Sequence, residues 1–207
     1  MIIDHVIFVV RDPVKAAQDL YDRHGLGSER GDYHTFSGTR NWSVPLAPPT
    51  YLELLSIEDR TVAAGSKAGQ EVMAFEAAGG GLMTWAVLVA DVTVVSRRLG
   101  IDIFDYTITD DSGTLRGWRA VTGPRHLPFF IDWPNSEGRL RRWEQKYQRV
   151  GHTSAPIAFS GLTISGSASE MWEWLGPHDL PLRFVDGTDG LIEARIATAA
   201  GGEIVIA

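Results

Sequence analysis

No cysteine occurs anywhere in the sequence. That absence excludes disulfides, thiolate metal sites and a cysteine nucleophile. No apolar stretch approaches the roughly 20 residues of a membrane span, and the opening Met1-Ile2-Ile3-Asp4-His5 runs straight into apolar residues without a basic segment ahead of them. The expectation is a soluble, cytoplasmic protein with no membrane partner. Positive charge is also scarce: 19 Lys and Arg stand against 26 Asp and Glu, for a net charge of -7, which argues against nucleic acid as a general partner. The 22 Gly and 10 Pro are spread along the chain and form no low-complexity linker. What is present is enough apolar residue, 44% of 207 positions, to bury a sizeable core in one or two domains.

The first informative pattern is a repeat. An apolar run, a helix cap, an apolar helical stripe and a closing glycine occur three times. The first copy is Ile3 to Val10, Asp12-Pro13, then Val14, Ala17, Leu20 and Tyr21, closed by Gly25. The second is Leu82 to Ala90, Asp91, then Val92, Val95 and Leu99, closed by Gly100. The third is Phe159 to Ile164, the capping box Ser167 to Glu170, then Met171, Trp172 and Leu175, closed by Gly176. The closing glycines lie 75 and 76 residues apart. About three short alternating runs follow each of them, so each unit reads βαβββ. The prediction is an α+β fold in a single compact chain, with modules over approximately 1–60, 80–135 and 156–207.

The second pattern is a carboxylate in an apolar run. Glu53 interrupts Tyr51-Leu52-Glu53-Leu54-Leu55, and Glu203 recurs in Gly202-Glu203-Ile204-Val205-Ile206. A carboxylate inside a core strand costs several kcal/mol unless it is paired, protonated or bound to a metal. Glu53 therefore requires a partner, while Glu203 can alternatively face solvent on an edge strand. The segment 58–81 reads as a connector, helical around Gln70 to Ala77, over a sheet edge or a pocket mouth. The basic run Arg139, Arg141, Arg142, Lys146 and Arg149, interleaved with Trp143 and Tyr147, reads as a solvated connecting helix, or alternatively as an anion or RNA contact. His24, His126, His152 and His178 lie beside helix ends or turns and read as structural or exposed.

Asp4-His5-Val6, the capped helix, His34-Thr35-Phe36-Ser37-Gly38-Thr39-Arg40-Asn41, Tyr51-Leu52-Glu53-Leu54, Gly117-Trp118-Arg119 and Leu127 to Trp133 together resemble the glyoxalase-like domain proteins of the vicinal oxygen chelate superfamily. The resemblance implies curved mixed sheets of paired βαβββ modules around a cavity, with helices outside. It also implies a divalent metal (Zn, Mn, Fe or Ni) chelating adjacent substrate oxygens and stabilising an oxyanion. Carried over, His5 and Glu53 would be metal ligands, with Glu203 or His34 as a third. His34 and Glu53 would move protons, and Asn41 would line the cavity. Two departures stand out. Thr84 and Ser160 occupy the positions matching His5 in the second and third units, and neither is a ligand that a divalent metal usually selects. Trp42, Trp85 and Trp118 fall in strand-like runs and are expected on the concave face as an aromatic wall, or alternatively in the core. Arg119 is a candidate to bind a substrate carboxylate, or a plain surface cation.

Two functions follow. One is a metal-dependent lyase, isomerase or dioxygenase acting on a small substrate with vicinal oxygens. The other is a metal-free protein of the same fold that binds or sequesters a small molecule. Exposed strand edges make a homodimer an expectation as well.

Overall fold

The computed structural model describes residues 1–109 and 113–207. In chain order the first elements are β1 (Ile2–Val9), α1 (Pro13–His24), β2 (Glu29–His34), β3 (Thr39–Pro45) and β4 (Tyr51–Ile57). They begin as their residues dictate. Asp12 accepts a hydrogen bond from the Lys15 amide at 2.9 Å, Pro13 fits the first helical turn, and Gly25 closes α1 in the left-handed conformation. β4 then returns beside β1 in parallel, giving the order β2-β3-β4-β1.

The connector forms α2 (Arg60–Gly65) and α3 (Lys67–Ala77). The second unit follows as β5 (Gly81–Leu88), α4 (Val92–Leu99), β6 (Phe104–Thr109), β7 (Leu115–Val121) and β8 (Phe129–Asp132), again with the last strand parallel to the first. Antiparallel pairing of β1 with β5 fuses both units into an eight-stranded sheet, β2-β3-β4-β1-β5-β8-β7-β6. Its end strands curl towards each other. Side chains seal that seam, with Arg116 3.1 Å from Asp32 and the Phe36 and Tyr106 rings 5.0 Å apart. The sheet therefore nearly closes around a cavity.

After α5 (Ser136–Arg149), the third unit runs β9 (Pro156–Ser165), α6 (Ala168–Leu175), β10 (Leu182–Val185), β11 (Gly190–Thr198) and β12 (Glu203–Ile206). It forms a separate four-stranded sheet in the order β10-β9-β11-β12. Here the parallel neighbour of β9 is β10, and β12 lies at the edge. Its strand order therefore departs from that of the other two units.

Strand alternation divides the residues between the two faces of the large sheet. Val6, Val44, Leu52, Leu54, Trp85 and Phe130 point away from the cavity and pack with Leu162, Ile164, Ile196 and Ile204 of the small sheet in one core. Each such side chain contributes roughly 1.5–3 kcal/mol by burial. The alternate residues face inward, where Val72 of α3 packs on Val9 and Leu55. No helix among the described residues is long and apolar enough to cross a membrane.

Candidate active site

The inward faces of β1, β3, β4, β7 and β8, with α3 and α5, enclose a cavity of about 400 Å³. His5 and Glu53 sit in its wall, on neighbouring parallel strands whose register pairs His5 with Tyr51 and Ile7 with Glu53. His5 Nε2 lies 3.4 Å from Glu53 Oε2. On its other side, His5 Nδ1 is 2.7 Å from Asp4 Oδ1, and Asp4 Oδ2 accepts a hydrogen bond from Arg139 at 2.7 Å. All four residues are buried. Asp4 bridges Arg139 and His5 Nδ1, which turns Nε2 to Glu53, and a proton held between Nε2 and Oε2 joins those two groups. The partner that a buried Glu53 requires is thus His5.

Aromatic rings hold this chain in place. Tyr51 stacks on His5 at 4.6 Å and on Trp143 at 4.1 Å, Phe129 meets the His5 ring edge-on at 5.5 Å, and the Arg139 guanidinium lies 4.7 Å from the Trp133 ring centre. Burial, reinforced by Glu53 and Asp4, pushes the Tyr51 phenol well up, so it remains a neutral hydroxyl.

His34 and Asn41 also line the cavity. His34 Nδ1 lies 3.0 Å from Thr39 Oγ1, and burial pulls its imidazole down, favouring the neutral ring. Asn41 Oδ1 accepts from the Asp32 amide at 2.8 Å, where β2 slips register against β3. A side chain at Gly31 would place its Cβ 1.9 Å from that same oxygen, so glycine there makes room for Asn41. Thr84 lines the cavity too, opposite Ile7 in the β1–β5 pair.

Other expected site residues are placed elsewhere. Glu203 lies on β12 of the small sheet, exposed, accepting from Ser160 at 2.6 Å and lying 3.4 Å from Arg195. The Ser160 hydroxyl, then Arg195, holds its carboxyl below the usual range. It is absent from the cavity because the third unit forms a separate sheet that packs on the outer face of the large one. Trp42 pairs with Leu54 and Trp85 with Val6, so both share the core face; Trp85 is fully buried there. Of the three tryptophans expected on the wall, Trp118 alone reaches it. Arg119, next on the strand, points to the opposite face and pairs with Asp132 and Asp91.

The basic run 139–149 requires a further correction. Arg141 and Arg149 are exposed, but Arg139 is buried, and Arg142, Trp143 and Lys146 line the cavity. Positions 139, 142, 143 and 146 recur at helical spacing, which was the available signal for one inward face. Tyr51 was signalled as well, two residues from Glu53 on the same strand face.

The donor set bears on the metal that the resemblance implies. His5 and Glu53 face each other, but among the described residues no group of three His, Asp or Glu converges on one point. Two donors fall short of the three protein ligands that an open catalytic metal site takes.

The chain matches the family model of a glyoxalase-like domain over residues 3–178. No curated protein matches it. Among solved structures, a hypothetical protein from Staphylococcus aureus aligns with a TM-score of 0.68 at 15% identity, covering 99% of this chain and 84% of that one. A Streptomyces coelicolor methylmalonyl-CoA epimerase in complex with 2-nitronate-propionyl-CoA gives a TM-score of 0.49 at 16% identity, covering 65% of this chain and 98% of that one. At 15% identity the likeness to the Staphylococcus aureus protein speaks to fold. The family match spans both modules that build the cavity: the chain belongs to the glyoxalase-like domain family of the vicinal oxygen chelate superfamily.

Proposed function

We propose that this protein is an enzyme of isomerase or lyase type that moves a proton on a small substrate held in the cavity, with His5 and Glu53 as its acid–base pair. The carrying observation is the buried chain from Arg139 through Asp4 and His5 to Glu53, which ends in the cavity wall. A carboxylate in hydrogen-bonding reach of a substrate C–H or O–H beside a carbonyl takes the proton. His5 holds Glu53 in place and shares the proton through Nε2, and delivery to an adjacent atom completes an isomerisation. Asn41, the neutral His34 and the Thr84 hydroxyl are the groups proposed to contact the substrate's oxygens, and Trp118 its apolar body. No step runs through a metal, because the donor set does not reach three.

The aromatic walls favour a second reading, a binding or sequestration protein without turnover. Proton NMR in D2O separates the two. Across a panel of small 2-hydroxy and 2-oxo carbonyl compounds, the enzyme reading expects C–H exchange that falls by about 10²–10⁴ in Glu53→Gln. Binding without exchange anywhere in the panel would move the assignment to sequestration.

A further inference from the structure

We infer that the cavity takes a small organic anion with a flat apolar body, such as an aromatic carboxylate. This rests on the reading of the cavity as a substrate site and extends it to a substrate class. Two independent observations carry it.

The first is the wall. Trp118 stacks on Tyr106 at 5.4 Å and meets Trp133 at 5.5 Å, while Tyr51 stacks on Trp143 on another side. Aromatic side chains at two places in the lining of a space of about 400 Å³ suit a ligand with an apolar, ring-bearing body.

The second is the sign of the charge. The chain carries a net charge of -7, yet the cavity lining holds five cations, Lys67, Arg116, Arg125, Arg142 and Lys146, against the carboxylates Asp32, Glu53 and Glu71. Asp32 is engaged by Arg116, Glu53 by His5, and Lys146 by Glu29, outside the lining, at 3.2 Å. Lys67 and Arg125 form no ion pair among the described residues; Arg125 lies 5.7 Å from the Phe75 ring centre. Cations on an exposed mouth are usually solvated surface charge. Here they share one lining with aromatic and apolar side chains in a chain of opposite overall sign, the arrangement that focuses a positive potential into a cleft.

Isothermal titration with 2-naphthoate and the neutral 2-naphthamide tests the inference. At low salt, 2-naphthoate is expected to bind about tenfold tighter, with the preference shrinking to about twofold in the double variant Lys67→Gln/Arg125→Gln and in about 0.5 M salt. Both residues are exposed, so the variant is expected to fold normally. Trp118→Ala should weaken both ligands. The inference is overturned if the amide binds as tightly as the acid, if neither binds at millimolar concentration, if the preference survives the double variant, or if Trp118→Ala weakens neither. Glu53→Gln separates this inference from the proton-transfer reading: it should abolish exchange yet keep or raise the preference for the anion, and loss of that preference would count against the anion class.

Discussion

The first two units and the third begin alike and end differently. In the first and second, the last strand slides in beside the first, parallel to it, so its inward residues join those of β1 or β5 around one space. In the third, β10 takes that position and β12 is left on an edge. The third unit also forms a separate sheet outside the cavity, and that has a chemical consequence. Glu53 and Glu203 occupy the same place in their units' sequence, yet one is buried against His5 and the other is exposed beside Ser160. A repeat in sequence reports elements and caps; it does not report strand order. The third unit instead covers the outer face of the large sheet and completes the core.

The largest expected effect tests that contrast directly. Glu53→Gln should lower proton exchange by about 10²–10⁴, whereas Glu203→Gln should leave it within about twofold, as an exposed group outside the site. Equal losses in both variants would dissolve the distinction.

Next come the two arginines. Arg139→Met removes the cationic partner of the buried Asp4, leaving it only His5, and should destabilise the fold by about 3–5 kcal/mol in urea unfolding. Arg195→Met removes exposed pairs with Glu193 and Glu203, and a change within about 0.5 kcal/mol is expected.

The closing glycines give a smaller contrast. Gly100 ends α4 in the ordinary left-handed conformation, with open space around a would-be Cβ; Gly100→Ala should cost about 1 kcal/mol. Gly176 has φ 73° and ψ -165°, a region nearly restricted to glycine, so Gly176→Ala should cost more, about 1–3 kcal/mol. Thermal unfolding that ranks them the other way would break the comparison.

The smallest effect is on pH dependence. Burial lowers the imidazoles of His34 and His178 from their ordinary 6.5. Above 6.5 both folded and unfolded chains hold them neutral; as pH falls below it, the unfolded chain binds protons first and stability is lost. His34→Gln should flatten that loss more than His178→Gln, because His34 is the more deeply enclosed. An unchanged slope in His34→Gln would contradict its burial as a neutral ring.

Much of the site was legible because a buried carboxylate is expensive: Glu53 in an apolar strand demanded a partner, and His5 is that partner. Part of what was misassigned was also within reach of sequence. Asn41 and Trp42 are neighbours on one strand, as are Trp118 and Arg119, so neither pair can share a face. Arg139 was not within reach: its partner Asp4 lies 135 residues away, and an arginine in a charged helix looks solvated until the helix is docked.

By itself the sequence determined the opening strand and capped helix of each unit, through caps, closing glycines and apolar periodicity, all of which act over a few residues. It also determined that one carboxylate must be paired. The tertiary structure alone decided which strands lie side by side, which face each residue presents, and that the second unit rather than the third closes the cavity. Those outcomes depend on pairings between segments far apart in the chain, which no local pattern of residues records.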